Sequence, residues 1–226
     1  MGGAMSVLFI ETATPLCAVA LEVDGTIHVR ELDHDRRHVE ALTPGIDAIC
    51  REFDVAPRSL KRIVVDRGPG LFTGLRVGVA TAIAMASAIG AELVSVTSLE
   101  LLAHGLWSEG FRGEVLSLID GRRGEVFAQS FKLSDECVAS TPAAVRTPQE
   151  LVVELGTSGA PVTFIGDGAE RYAELFTLLP NVTLAPSSTA WLSAGIALGI
   201  KATPGEVTPL YLREADAVAN FATRAV

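Results

Sequence analysis

Thirteen residues, Asp66 to Gly78, constrain this chain more than any others: they read Asp-Arg-Gly-Pro-Gly-Leu-Phe-Thr-Gly-Leu-Arg-Val-Gly. A β-branched run, Ile63-Val64-Val65, leads into the Gly68-Pro69-Gly70 turn, and the turn opens into a helix-like segment with almost no side-chain bulk. Strand, glycine turn and helix N-terminus together concentrate free backbone N–H groups and the positive end of a helix dipole, so phosphate binding is the first reading. Steps of four from Gly74 reach Gly78, Ala82, Ala86 and Gly90, tracing one ridge of the helix. Glycine inside a helix costs roughly 1 kcal/mol relative to alanine, so two glycines in the first two turns require very close approach by another element. The ridge is therefore read as a surface on which something packs, and Gly68 to Gly90 as a docking device.

Two phosphate motifs fail here. A P-loop needs Gly-Lys-Ser/Thr four residues after its first glycine, and no lysine lies between Lys61 and Lys132. A dinucleotide Gly-x-Gly-x-x-Gly fails by one residue, because Leu71, Phe72 and Thr73 separate Gly70 from Gly74. The uncharged stretch between Arg76 and Glu92 has 15 residues, against about 20 for a membrane span, so a buried helix of a soluble protein is expected.

A net charge of −9 over 226 residues argues against a free-standing nucleic-acid binder, which carries a basic patch; it leaves room for a subunit whose partner holds the nucleic acid. Cys17, Cys50 and Cys137 are odd in number and scattered, which suits a reducing cytoplasm. Residues 1–4 lack the charged and apolar regions of a signal peptide and are set aside.

Hydrophobic periodicity yields one element order twice. A short apolar strand at residues 6–10 precedes two alternating runs around Asp24-Gly25, a strong hairpin signal. Val39, Leu42, Ile46, Ile49 and Phe53 then keep a helical period. A strand, the bare helix, a strand near Glu92 and a helix from Ser98 follow, giving βββαβαβα. The second half starts with strands on either side of Gly121–Gly124 and reaches Thr147-Pro148-Gln149-Glu150, a capping box with proline at the first helical position. Strand, helix 169–178, strand and a last helix complete the repeat. Two similar α/β domains with mixed sheets are expected, residues 5–108 and 109–226, with a cleft between them.

This order resembles the superfamily of actin, heat-shock chaperone ATPases and sugar kinases, built from two tandem actin-like (RNase H-like) domains. Within it the chain resembles the TsaB family, also called YeaZ. The resemblance is carried by Phe9-Ile10-Glu11-Thr12-Ala13-Thr14 with Cys17-Ala18-Val19-Ala20-Leu21, by Gly68 to Gly78, by Ile119-Asp120-Gly121-Arg122-Arg123-Gly124-Glu125-Val126, and by Tyr211-Leu212-Arg213. These run in order along nearly the whole chain. The resemblance implies a non-catalytic scaffold and activator subunit of the machinery that places threonylcarbamoyl on the adenosine beside the tRNA anticodon. It implies a heterodimer with a catalytic TsaD homologue, docking of the ATPase TsaE, tRNA contact only through the complex, and a homodimer in isolation. Asp66 and Leu71 depart from the family, which commonly has Gly and Ser there.

The superfamily's phosphate turn, Asp-x-Gly-x-Thr, is replaced by Glu11-Thr12-Ala13-Thr14, and its second-half counterpart carries two bulky cations after Asp120. The positions of TsaD's two metal histidines are Ser98 and Leu102. No metal and no nucleotide of its own is expected, although a nucleotide at a subunit boundary is compatible; a kinase or ATPase of the superfamily is the alternative, and a metallopeptidase a weaker one. The resemblance implies partner contact by the helix His38–Phe53 and the helix after the glycine turn, and so by His38, Leu42, Ile46, Ile49, Thr73, Gly74, Arg76, Val77, Gly78 and Thr81. Glu11, Thr12, Gly68, Gly70, Asp120, Gly166 and Asp167 are read as vestigial nucleotide or interface loops.

Other constellations have plainer readings. His34 and His38 flank two arginines, which repel a metal, so a solvated helix start is expected. Asp167 between two glycines reads as a turn and helix cap. Cys17 and His104 read as structural, and Arg76 as paired, either across a subunit contact or within the chain.

Overall fold

The computed structural model describes residues 6–32, 38–186 and 189–213. His34 and the side chain of His38 lie outside the described residues. The first half runs β1 (Val7–Glu11), β2 (Ala18–Val23), β3 (Thr26–Glu31), α1 (His38–Glu52), β4 (Arg62–Asp66), α2 (Phe72–Ile89), β5 (Glu92–Val96) and α3 (Ser98–Ser108). The second runs β6 (Gly113–Arg122), β7 (Glu125–Leu133), β8 (Cys137–Ala139), β9 (Ala144–Arg146), α4 (Pro148–Ser158), β10 (Val162–Ile165), α5 (Asp167–Arg171), α6 (Ala173–Phe176), β11 (Val182–Leu184) and α7 (Ala190–Lys201). The repeated order read from the sequence is present, with two differences. A short strand, β9, pairs with β7, and the single helix expected over 169–178 is divided at Tyr172.

Both sheets are mixed, in orders β3-β2-β1-β4-β5 and β11-β10-β6-β7-β8. In the first, β1 pairs antiparallel with β2 and parallel with β4; in the second, β6 pairs antiparallel with β7 and parallel with β10. The β2–β3 hairpin turns on Asp24 and Gly25 at φ 50 and 80, the two positive values that a tight two-residue hairpin turn demands. Every residue of β1 and β4 is buried, as expected for central strands covered on both faces. Full capping boxes start α3 (Thr97 with Glu100) and α4 (Thr147 with Glu150).

Helices α1 and α2 cover one face of the first sheet, packing Leu42, Ile46, Val79 and Ala82 on Leu8, Ile10, Ile63 and Val65. The other face meets α7, whose Leu192 and Ile196 pack with Phe9 and Val64, joined by Leu101 of α3. The opposite side of α3 covers the second sheet, with Leu99, Leu102 and Leu106 against Ile119, Phe127 and Phe131. The last helix of each half therefore lies between the two sheets and joins them. Residues 203–213 continue this cross-tie: Val207 enters the core beside α2, Leu210 N–H donates to Arg67 O at 2.7 Å, and Arg213 pairs with Glu125 of β7 at 2.8 Å.

Candidate functional site

The carboxyl ends of β1, β4 and β5 meet the β1–β2 turn, the glycine turn and the N-terminus of α3. A phosphate cradle at this point would need open N–H groups, and four of those around the turns are already used within the chain. Gly68 N–H donates to Asp66 Oδ1 at 2.7 Å and Thr14 N–H to Glu11 Oε1 at 2.8 Å. Leu71 N–H donates to Ala13 O at 2.6 Å, and Ser98 N–H to Gly68 O at 3.0 Å. Gly70 is glycine because the two turns touch: a Cβ there would sit 2.0 Å from Ala13 O.

Glu11 and Asp66 are both fully buried. Burial, reinforced by the neighbouring Asp66 carboxyl, pushes the Glu11 pKa well above the usual carboxylate range. Burial also raises Asp66, while hydrogen bonds from Glu11, Ser98 and Gly68 pull it back. Ser98 Oγ donates to Asp66 Oδ2 at 2.7 Å. Among the described residues Oε2 of Glu11 has no hydrogen-bond partner. Only one of two such carboxyls ionises readily in a dry site.

The second-half turn is filled in the same manner. Asp120 N–H donates to Asp167 Oδ1 at 2.9 Å and Arg122 N–H to Asp120 Oδ1 at 3.0 Å. Asp120 Oδ2 pairs with Arg122 at 3.0 Å and Arg171 at 3.5 Å. Asp167 thus ties the turn after β10 to the end of β6 and does not cap α5 as the sequence suggested: it is the first residue of that helix, whose N-cap is Gly166 without a side-chain hydrogen bond. Burial raises its pKa first, and the Asp120 charge adds to that. Gly166 precedes α5 at φ 108.

The structure corrects the reading of α2. Its small ridge is not a free surface but the inner face of the helix: Gly74, Gly78, Ala82 and Ala86 are buried. A Cβ on Gly78 would stand 2.2 Å from Thr12 Oγ1, and that hydroxyl donates to Gly74 O at 2.8 Å. The close partner demanded by the glycines is the chain's own strand β1 and the turn that follows it. Leu42, Ile46 and Ile49, expected at a partner contact, are likewise core residues with at most 3% of their surface exposed.

What α2 offers to solvent is its other side. Thr73, Arg76, Ala80, Ile83, Ala84, Ser87 and Ala88 are exposed, and Val77 and Thr81 half-buried. Arg76 is paired within the chain, but with rings instead of an acid. Its guanidinium lies 3.9 Å over the Phe72 ring, and its Nε donates to Tyr211 Oη at 3.2 Å. Phe72 and Tyr211 pack at 5.1 Å, so the C-terminal segment is part of this surface.

Among the described residues, no three His, Cys, Asp or Glu side chains converge as metal ligands. Cys17 is buried with its thiol pushed up to about 11, by burial and then by Glu11. His104 rests edge-on against Trp107 at 5.9 Å, its pKa lowered by burial.

A family model described as TsaD, tRNA N6-adenosine threonylcarbamoyltransferase, matches residues 32–209. The tRNA threonylcarbamoyladenosine biosynthesis protein TsaB of Escherichia coli is 30% identical over 175 residues, 76% of this chain and 75% of that protein. The chain belongs to the TsaB/YeaZ family. An uncharacterised Mycobacterium tuberculosis protein is 32% identical over 94% of this chain and 93% of its own length. The solved structure of YeaZ from Pseudomonas aeruginosa superposes with a TM-score of 0.77 at 27% identity, covering 92% of this chain and all of that one. The α/β architecture with two mixed sheets is thus that of the TsaB/YeaZ family.

Proposed function

We propose that this chain serves tRNA threonylcarbamoyladenosine biosynthesis as a non-catalytic companion that docks a TsaD-type partner through the exposed side of α2. The observation that carries this reading is the composition of that side. A solvent-facing helix surface normally carries charge, yet none occurs between Arg76 and Glu92, and Ala80, Ile83, Ala84 and Ala88 are exposed. A flat, uncharged, small-residue face lets another backbone approach closely and loses little hydration on burial. Arg76, braced by Phe72 and Tyr211, supplies a polar anchor at one end, and Thr73, Val77 and Thr81 border it.

Bonding of the Gly68, Leu71, Thr14, Asp120 and Arg122 N–H groups within the chain supports a companion without nucleotide of its own; a nucleotide at the subunit boundary would draw further donors from the partner. In this reading TsaE docks on the pair, the complex rather than this acidic chain holds the tRNA, and two copies meet through the α2 face when the partner is absent.

The test is reconstitution with the cognate TsaD-type protein, tRNA and the threonylcarbamoyl donor. Transfer is expected only with both subunits, and Ala84→Glu is expected to weaken partner binding roughly tenfold or more by burying an unpaired charge at the contact. Transfer by this chain alone, or unaltered partner binding by Ala84→Glu together with Ile83→Glu, would refute the reading. Submillimolar binding of Mg-ATP to the isolated chain would favour a superfamily ATPase instead.

A further inference from the structure

Residues 203–213 leave α7 and are fastened to the body of the protein on both sides of Tyr211. Gly205 N–H donates to Leu93 O at 3.2 Å and Leu210 N–H to Arg67 O at 2.7 Å. Val207 is buried in the core beside α2, and Arg213 pairs with Glu125 at 2.8 Å. Tyr211 is therefore held between fixed points, with its ring 5.1 Å from that of Phe72.

Phe72 opens α2 and Arg76 follows one turn later, a spacing that brings the two side chains together. The guanidinium lies 3.9 Å over the Phe72 ring, and Nε donates to Tyr211 Oη at 3.2 Å. The donors on the terminal nitrogens, Nη1 and Nη2, have no acceptor among the described residues. Arg76 is exposed and, again among the described residues, pairs with no carboxylate. Arg30, Arg62, Arg146 and Arg213 differ, since each pairs with a Glu of the chain. The two rings thus aim the fork of Arg76 without filling it.

We propose that Arg76 is the receptor for one carboxylate, an Asp or Glu side chain of the docking partner, taken by Nη1 and Nη2 together. The assignment rests on the docking reading and names the chemistry of its polar end. Parallel donors in a planar fork match the two oxygens of a carboxylate. A fork already oriented loses less freedom on binding than an unrestrained arginine. A partner laid on the uncharged side of α2 as far as Arg76 would bury that charge unpaired, at considerable cost, unless it brought an acid. A phosphate backbone is a poorer occupant. Nucleic-acid surfaces gather several cations, whereas Arg76 is the one cation of α2 in a chain of net charge −9.

The experiment is a binding titration of the full chain with the cognate TsaD-type protein, whose exposed Asp and Glu residues are changed one at a time to the amide. Arg76→Gln is expected to weaken binding roughly tenfold. One partner variant is expected to weaken it as much, with no further loss when the two changes are combined. Arg76→Lys keeps the charge but not the fork, and is expected to recover little of the loss. Ala84→Glu and Ile83→Glu, further along the same side, report on the docking reading itself. If they weaken binding while Arg76→Gln binds like wild type, or while no partner acid is coupled to Arg76, the carboxylate receptor is overturned and the docking reading stands. Wild-type affinity for all three overturns both. Wild-type affinity for Arg76→Lys would show that a point charge suffices, and displacement of the partner by inorganic phosphate at constant ionic strength would show a phosphate site; either overturns the assignment.

Discussion

The carboxyls of Glu11 and Asp66 cap two adjacent parallel strands, in register where Ile10 pairs with Val65, and face each other in a fully buried space. Thr14 hangs on one and the glycine turn and Ser98 on the other. This carboxyl pair therefore ties three loops together.

The raised Glu11 carboxyl makes stability depend on pH in a definite direction. Glu11 is raised well above its ordinary value in the folded chain, by burial and then by Asp66, so its share of stability is fully present below its unfolded pKa. It declines as pH rises from there through the raised folded value, because the unfolded chain releases the proton first. The Glu100 charge, which lies toward Asp66, also raises that carboxyl. Urea unfolding from pH 5 to 8 should show wild type losing up to about 1.4 kcal/mol per unit relative to Glu11→Gln while Glu11 stays protonated in the folded state. Parallel curves for the two proteins would show that Glu11 folds ionised.

The two sides of α2 should respond oppositely to substitution. At Gly78 a methyl group would meet Thr12 Oγ1 at 2.2 Å, and overpacking of this kind costs about 1–3 kcal/mol. Gly78→Ala should therefore destabilise by about 2 kcal/mol despite alanine's better helix propensity. Ala84→Glu, on the exposed side, should stay within about 0.5 kcal/mol of wild type. A stable Gly78→Ala would mean that the ridge is free after all.

This reversal marks what was legible in the sequence. Periodicity and turn chemistry located the strands and helices of both halves, because a period of two or 3.6 and an Asp-Gly or Thr-Pro-x-Glu signal are local. The small ridge of α2 was legible as a close contact, but spacing alone names no partner, and the residue that fills it is 62 positions upstream. Leu42, Ile46 and Ile49 carried the plain signature of a core stripe, which the expected interface overrode. Glu11 was visible as a substituted phosphate turn and Asp66 as a departure from the family. Their pairing depends on strand register, and the bracing of Arg76 by Tyr211 depends on a contact spanning 135 positions, which no single-sequence pattern encodes.

Arg76 is held by an aromatic platform rather than by an acid. Tyr211→Ala removes the hydroxyl and one ring of that platform, and an exposed cation–π arrangement is worth about 0.5–1 kcal/mol. Stability should drop by no more than about 1 kcal/mol, while partner affinity falls because the guanidinium loses its fixed direction. Tyr211→Phe keeps the ring and should recover most of the affinity. Equal affinities for wild type, Tyr211→Ala and Arg76→Glu in a pull-down titration would remove this end of α2 from the contact.

Arg62 joins the last helix to the first sheet. Its side chain is 11% exposed, and its guanidinium donates to Gly199 O at 2.7 Å, Ile200 O at 2.8 Å and Ala202 O at 3.3 Å. Those carbonyls end α7, where a cation also complements the helix dipole. Arg62→Met would leave them without donors and should cost about 3 kcal/mol, since breaking a buried charged network is among the larger single-site effects. Glu92, which accepts from the same guanidinium at 2.6 Å, has a side chain 53% exposed, so water substitutes for much of its role. Glu92→Gln should cost less than about 1 kcal/mol. Denaturant unfolding of the two variants separates the contributions: a loss at Glu92→Gln matching that at Arg62→Met would place the stabilisation in the ion pair and not in the end of α7.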